Sequence, residues 1–146
     1  DLAGPRLGES PGWSLPATGE EVHQLVDRPE PVVLLNFWAT WCAPCREELT
    51  TLEALHQELD DEGLTIIGVN VDPGDAEPVV RFAEQKGLSF RVLHDPEQQV
   101  AGSYGVRGYP TTVVIDRAGR IVLAELGAWD WSHPDAVAWL RELLAQ

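Results

Sequence analysis

The feature that most constrains this chain is a junction. The β-branched and aromatic run Val32–Trp38 leads, through Ala39-Thr40-Trp41, into Cys42-Ala43-Pro44-Cys45, where a helical pattern begins. The run shows no clean polar–apolar alternation, as expected of a central strand covered on both faces. Beyond the cysteines, Leu49, Leu52, Leu55 and Leu59 recur on one side, with Glu47, Glu53, Gln57 and Asp60 on the other. That spacing predicts an amphipathic helix from Ala43 to Glu62, closed by Gly63.

The elements that follow are read in the same way. Leu64–Val71 is a second buried strand, and Asp72–Glu77 is rich in turn residues. Pro78–Lys86 is a short helix with Val79, Phe82 and Ala83 toward the core, ended by Gly87. Leu88–Leu93 reads as a strand and Glu97–Tyr104 as a short helix. Thr111–Asp116 and Arg120–Gly127 flank the turn Arg117-Ala118-Gly119, which predicts a hairpin. Ser132-His133-Pro134-Asp135 carries a capping Ser, a first-turn Pro and an acid, and Val137, Leu140 and Leu144 continue it as a C-terminal helix. The order is α/β, a mixed sheet covered by helices. Residues 1–12, rich in Gly and Pro, are expected to be a flexible N-terminal segment; 13–146 form one domain, with a small hairpin at 13–26.

The cysteine pair is unsuited to a structural role. A disulfide stabilises chiefly by closing a long loop of the unfolded chain, and Cys42 to Cys45 closes almost none. Zinc ribbons need a second such pair, which is absent, and His23, His56, His94 and His133 are scattered without metal-ligand spacing. No metal is expected. Cys42 falls at the end of a strand and the start of a helix, where unpaired N–H groups and the helix dipole favour a thiolate. Cys45 falls one turn in, on the core-facing side, suited to resolving a mixed disulfide. No cofactor beyond this cysteine pair is implied.

Composition narrows the partners. The net charge is −14 with ten Lys and Arg, which argues against nucleic acid or an anionic membrane surface. No apolar run reaches the ~20 residues of a membrane span. The chain opens on Asp1 and contains no Met, so either a targeting or anchoring segment has been removed or a boundary was chosen. Contact with a membrane is expected only through such a missing anchor.

Asn36-Phe37-Trp38-Ala39-Thr40-Trp41-Cys42-Ala43-Pro44-Cys45-Arg46 resembles the active-site segment of thioredoxin-fold proteins, and Gly105-Val106-Arg107-Gly108-Tyr109-Pro110-Thr111-Thr112 resembles their distal proline loop. The match is nearest to the TlpA/ResA/CcmG (DsbE)-type reductases and spans about residues 32–127. The resemblance implies a thioredoxin-like three-layer α/β/α fold with a central mixed sheet and a short N-terminal β extension. It implies a monomeric thiol–disulfide oxidoreductase, a reductase of partner-protein disulfides through attack by Cys42 and resolution by Cys45. It further implies an extracytoplasmic site, periplasmic or membrane-anchored, an upstream thiol electron donor, and a place in cytochrome c maturation.

By the same resemblance Pro110 is a cis-proline facing the dithiol, leaving the Tyr109 backbone free to pair with a substrate segment; an ordinary turn proline is the competing reading. Trp41 belongs to the partner-facing surface, or else to the core. Pro44 stiffens the segment. Asn36 stands where thioredoxins proper keep a buried acid, and several similar reductases carry a Glu just after the next strand. Asp72 is the candidate acid near Cys45, with Glu77 behind it; a solvated turn carboxylate competes for each. Trp129-Asp130-Trp131 is either a docking patch or a cover for the sheet edge. Arg46 either makes the dithiol surroundings positive or is a solvated helix residue. Two other functions compete: a copper-handling binding protein and a thiol peroxidase. The first lacks Met ligands, and in the second Thr40 stands only two positions before Cys42, not three.

Overall fold

All seven residues of β1 (Val32–Trp38) are buried, because strands flank it on both sides and helices cover both faces. The computed structural model describes residues 32–146; the expected N-terminal segment and the hairpin at 13–26 lie outside the described residues. β1 pairs in parallel with β2 (Leu64–Asn70) and antiparallel with β4 (Thr111–Ile115). β3 (Arg91–His94) and β5 (Ile121–Leu126) complete a five-stranded mixed sheet in the order β3-β2-β1-β4-β5.

Alternation along β1 distributes the layers. Asn36 meets Glu48 of α1 (Ala43–Leu59), and Trp38, on the same face, packs in a tilted arrangement against Phe82 of α2 (Glu77–Lys86), ring centroids 5.5 Å apart. Phe37 points the other way, its ring 5.7 Å from that of Tyr104 just after α3 (Gln99–Ser103). α4 (Pro134–Leu144) joins the α1 side through Arg141, which bridges to Glu62 at 2.9 Å. This is the expected thioredoxin-like α/β/α arrangement. Gly68 of β2 lets Phe90 and Trp38 pack closely on the strand, since an added Cβ would lie 3.0 Å from both Phe90 Cε1 and Trp38 Nε1.

Several boundaries differ from expectation, each for a local reason. α1 stops at Leu59 and tightens into a 3₁₀ turn over Asp60–Glu62 before Gly63 at φ 107°. The strand predicted from Leu88 begins at Arg91, because the Leu88 N–H is taken by the Ala83 carbonyl at 3.0 Å to finish α2 behind left-handed Gly87. The cap of α4 is His133, whose Nδ1 accepts from the Asp135 N–H at 3.0 Å, and not Ser132. The predicted hairpin is present, its turn held by Asp116 Oδ1, which accepts from the N–H groups of Ala118 (3.0 Å) and Arg120 (2.9 Å).

Candidate active site

The chain leaves β1 at Trp38, turns through Ala39–Trp41, and enters α1 at Cys42. Cys42 is the N-cap, with extended backbone (φ −98°, ψ 108°), and its Sγ accepts from the Cys45 N–H at 3.3 Å. A thiolate there takes up one of the amides that a helix start leaves unpaired. Pro44 sits in the first turn, where its missing N–H costs nothing. Cys42 and Cys45 are joined by a disulfide with Cα atoms 5.2 Å apart. Cys42 keeps 6% of its surface accessible and Cys45 none, so an incoming partner meets Cys42 first.

The turn before Cys42 is clamped by Asp72. Asp72 Oδ1 accepts from the Thr40 N–H at 2.8 Å, and Oδ2 accepts from the Thr40 hydroxyl. Asn70 braces the clamp, accepting from the Asp72 N–H at 2.9 Å and donating to Oδ1 at 3.2 Å. Arg46 Nη1 reaches back to the Thr40 carbonyl at 2.9 Å, so this side chain also fastens the turn. Asp72 therefore spends its carboxylate on Thr40. Glu77 is exposed on the first turn of α2, 3.5 Å from Arg81.

The second wall is the loop before β4. The Tyr109–Pro110 peptide is cis, Pro110 is buried, and its carbonyl accepts from the Gly127 N–H at 2.8 Å. The Tyr109 ring stands edge-on to Trp41, centroids 6.3 Å apart. Trp41 is 64% exposed, which places it on the surface beside Cys42 and not in the core. Trp41, next to Cys42 in the chain, thus meets an aromatic ring from the proline loop.

The sequence reading missed Glu48. It lies one turn beyond Cys45 on the buried side of α1 and is 1% exposed. Its Oε1 accepts from Asn36 Nδ2 at 2.9 Å; its Oε2 accepts from the Trp129 N–H at 2.9 Å and from Trp131 Nε1 at 3.0 Å. Burial raises its pKa above the ordinary value, and the three hydrogen bonds offset this only in part. A signal was present: Glu48 falls on the same helical face as Cys45 and Leu52. Asn36 is fully buried and donates also to Thr112 Oγ1 at 3.1 Å. Trp131 is buried and Trp129 half-exposed, their rings stacked at 5.6 Å, and both donate to Glu48.

Fold and site together define a thioredoxin-like protein with a Cys-x-x-Cys disulfide at a helix N-terminus. The chain belongs to the AhpC/TSA family, which matches residues 8–124. It is 40% identical over 102 residues to the thiol-disulfide oxidoreductase ResA of Geobacillus thermodenitrificans, covering 68% of this chain and 56% of that protein. The chain spans about half the length of several curated relatives it matches. Among solved structures, a secreted thiol-disulfide isomerase from Corynebacterium glutamicum superposes with a TM-score of 0.71 at 32% identity, over 80% of this chain and 72% of that one. A Chlorobium tepidum structure assigned as the thiol:disulfide interchange protein DsbE superposes at 0.74 and 30% identity, over 96% of each chain.

Proposed function

We propose that this chain is a thiol–disulfide oxidoreductase that reduces disulfides of partner proteins in an extracytoplasmic compartment. The observation that carries the reading is the inequality of the two sulfurs: Cys42 is at the helix N-cap and keeps a sliver of exposed surface, while Cys45 is fully enclosed with Glu48 one turn below it. In the reduced protein the Cys42 thiolate attacks one sulfur of the partner disulfide, and the partner's other sulfur leaves as a thiolate. Cys45 then loses its proton and attacks Cys42 Sγ. The partner's second thiolate departs, two electrons have passed to it, and the Cys42–Cys45 disulfide remains. An upstream thiol donor restores the dithiol.

Glu48 is the group placed to take the Cys45 proton. A buried carboxylate with a raised pKa is a better base for a thiol than an ordinary surface carboxylate. Residues three apart on a helix are neighbours, so a direct or one-water transfer is within reach. Asp72, whose oxygens are held by Thr40, serves to position the turn. Pro110 and Tyr109 form the wall against which an extended substrate segment lies, its backbone pairing beside Tyr109. Export accords with the secreted relative and with the reductases that the motifs resemble. Among the described residues no helix is long and apolar enough to cross a membrane.

The test is a trapping experiment. Cys42→Ser should abolish reduction of insulin, while Cys45→Ser should accumulate a mixed disulfide through Cys42. Equal trapping by both variants would overturn the assignment of roles.

A further inference from the structure

Gln98 is the one non-glycine residue with a positive φ among the described residues, at φ 56° and ψ 35°. A side chain in this left-handed region is disfavoured, and a Gly would occupy it without penalty. The conformation is imposed from both sides. Asp95, buried at the end of β3, caps α3: its Oδ1 accepts from the Gln99 N–H at 2.8 Å and its Oδ2 from the Ala101 N–H at 3.0 Å. The Gln98 N–H donates to the Asp95 carbonyl at 3.1 Å, and the Gln98 carbonyl accepts from Gly102 at 2.9 Å. Asp95 is itself fixed to β2, its N–H donating to the Asn70 carbonyl at 2.7 Å.

What this turn presents is the Gln98 side chain. Its Oε1 accepts the hydroxyl hydrogen of Tyr109, a residue on a separate loop. Burial, together with the negative Asp95, raises the Tyr109 phenol above its ordinary pKa, so the hydroxyl remains a donor at neutral pH. The ring so fastened is the one that stands edge-on to Trp41 beside Cys42. A strained backbone that aims an acceptor at the substrate wall is the kind of over-determined conformation found at functional sites.

We propose that Gln98 is a specificity-determining positioning residue: by holding the Tyr109 ring beside Trp41, it favours protein disulfides, whose flanking segment must lie against that aromatic pair, over small disulfides. The inference rests on the oxidoreductase reading of Cys42. A small disulfide needs only the sulfur, whereas a protein segment needs the wall, so the two separate by substrate.

The experiment uses the full chain, reduced and freed of reductant, mixed in stopped flow with insulin or with bis(2-hydroxyethyl) disulfide. Gln98→Gly removes the acceptor and relieves the backbone. It should slow the insulin reaction about 3- to 10-fold, the worth of one hydrogen bond. Its reaction with the small disulfide should be unchanged and its melting temperature no lower. Gln98→Glu, which keeps an acceptor oxygen, should restore the insulin rate. Tyr109→Phe should slow insulin similarly, and combining it with Gln98→Gly should add nothing further. Equal loss toward both disulfides, additive effects, or an unaltered insulin rate in Gln98→Gly would each overturn the proposal. If the unmodified protein reacts with neither disulfide, the oxidoreductase reading falls and takes this one with it.

Discussion

Asn36 Nδ2 donates to Glu48 Oε1 at 2.9 Å, tying the middle strand of the sheet to the helix that carries both cysteines. The other amide atom, Asn36 Oδ1, is buried without a hydrogen-bond partner among the described residues. The Asn36 amide therefore suits either protonation state of Glu48. As found, its N–H serves the carboxylate; rotated by half a turn, its oxygen would accept from a protonated carboxyl. A buried acid in the same place as Asn36 could donate only when protonated and would repel the Glu48 carboxylate when not.

Glu48→Gln should slow reduction of a protein disulfide about 100-fold at neutral pH, at the low end of what a positioned base contributes. The loss should lie in resolution, seen as a longer-lived mixed disulfide in rapid acid quench. The substitution keeps the size of the side chain, and Asn36 can turn its oxygen to meet the new amide. An unchanged mixed-disulfide lifetime would remove Glu48 from the proton path.

The same variant reports on stability with a definite sign. Burial raises the Glu48 pKa in the folded chain, so the folded state holds this proton to higher pH than the unfolded state does. The stabilisation from that proton is full below the ordinary carboxylate pKa and is lost as pH rises through the raised folded value. Glu48→Gln, neutral throughout, should lack this decline. Urea midpoints taken from about pH 4 to about pH 8 for both proteins should diverge upward in favour of the variant. Parallel curves would contradict the raised pKa.

What the sequence disclosed was local, and what it withheld depended on distant partners. Cys42 was legible as an N-cap because strand run, cysteine, first-turn Pro and leucine stripe are contiguous, and the same holds for the β4–β5 hairpin. The spacing of Glu48 from Cys45 and Leu52 put it on the core-facing side of the helix, but the groups that hold it were not legible, because they come from Asn36 and, far along the chain, from Trp129 and Trp131. The Asp72–Thr40 clamp joins residues 32 positions apart, which is why Asp72 read as an acid near Cys45 or a solvated turn carboxylate. Gln98 gave no sign of its left-handed backbone, since the capping group responsible is the Asp95 side chain and not a Gly.

Asp72→Ala should cost about 1–3 kcal/mol in urea unfolding, because the part-buried Thr40 N–H and hydroxyl both lose their acceptor. Thr40→Val removes only the hydroxyl and should cost less. Both should slow protein-disulfide reduction, since the turn that presents Trp41 and Cys42 loses its clamp. Full stability in Asp72→Ala would show that water replaces the carboxylate without loss.

Gly68→Ala should destabilise by about 1–3 kcal/mol through overpacking. The added methyl would meet the Trp38 and Phe90 rings at 3.0 Å, and both rings are buried against other side chains. Gly68 does not have a left-handed φ, so the effect is steric and not conformational. Phe90→Leu should recover part of the loss in the double variant, a coupling that urea denaturation of the cycle would detect.

Trp131→Phe tests the acid from its other side. The Trp131 Nε1–H lowers the Glu48 pKa, working against burial. Removing that donor while keeping an aromatic ring leaves Oε2 with the Trp129 N–H alone, so the Glu48 pKa should move further up. The carbonyl stretch of the protonated carboxyl, followed by infrared spectroscopy during a pH titration, should persist to higher pH in Trp131→Phe and vanish in Glu48→Gln. The rate of mixed-disulfide resolution should follow the same titration, falling at a higher pH in Trp131→Phe as the solution is acidified. A band that shifts downward would mean that the vacated space admits water and that solvation, not the lost donor, dominates.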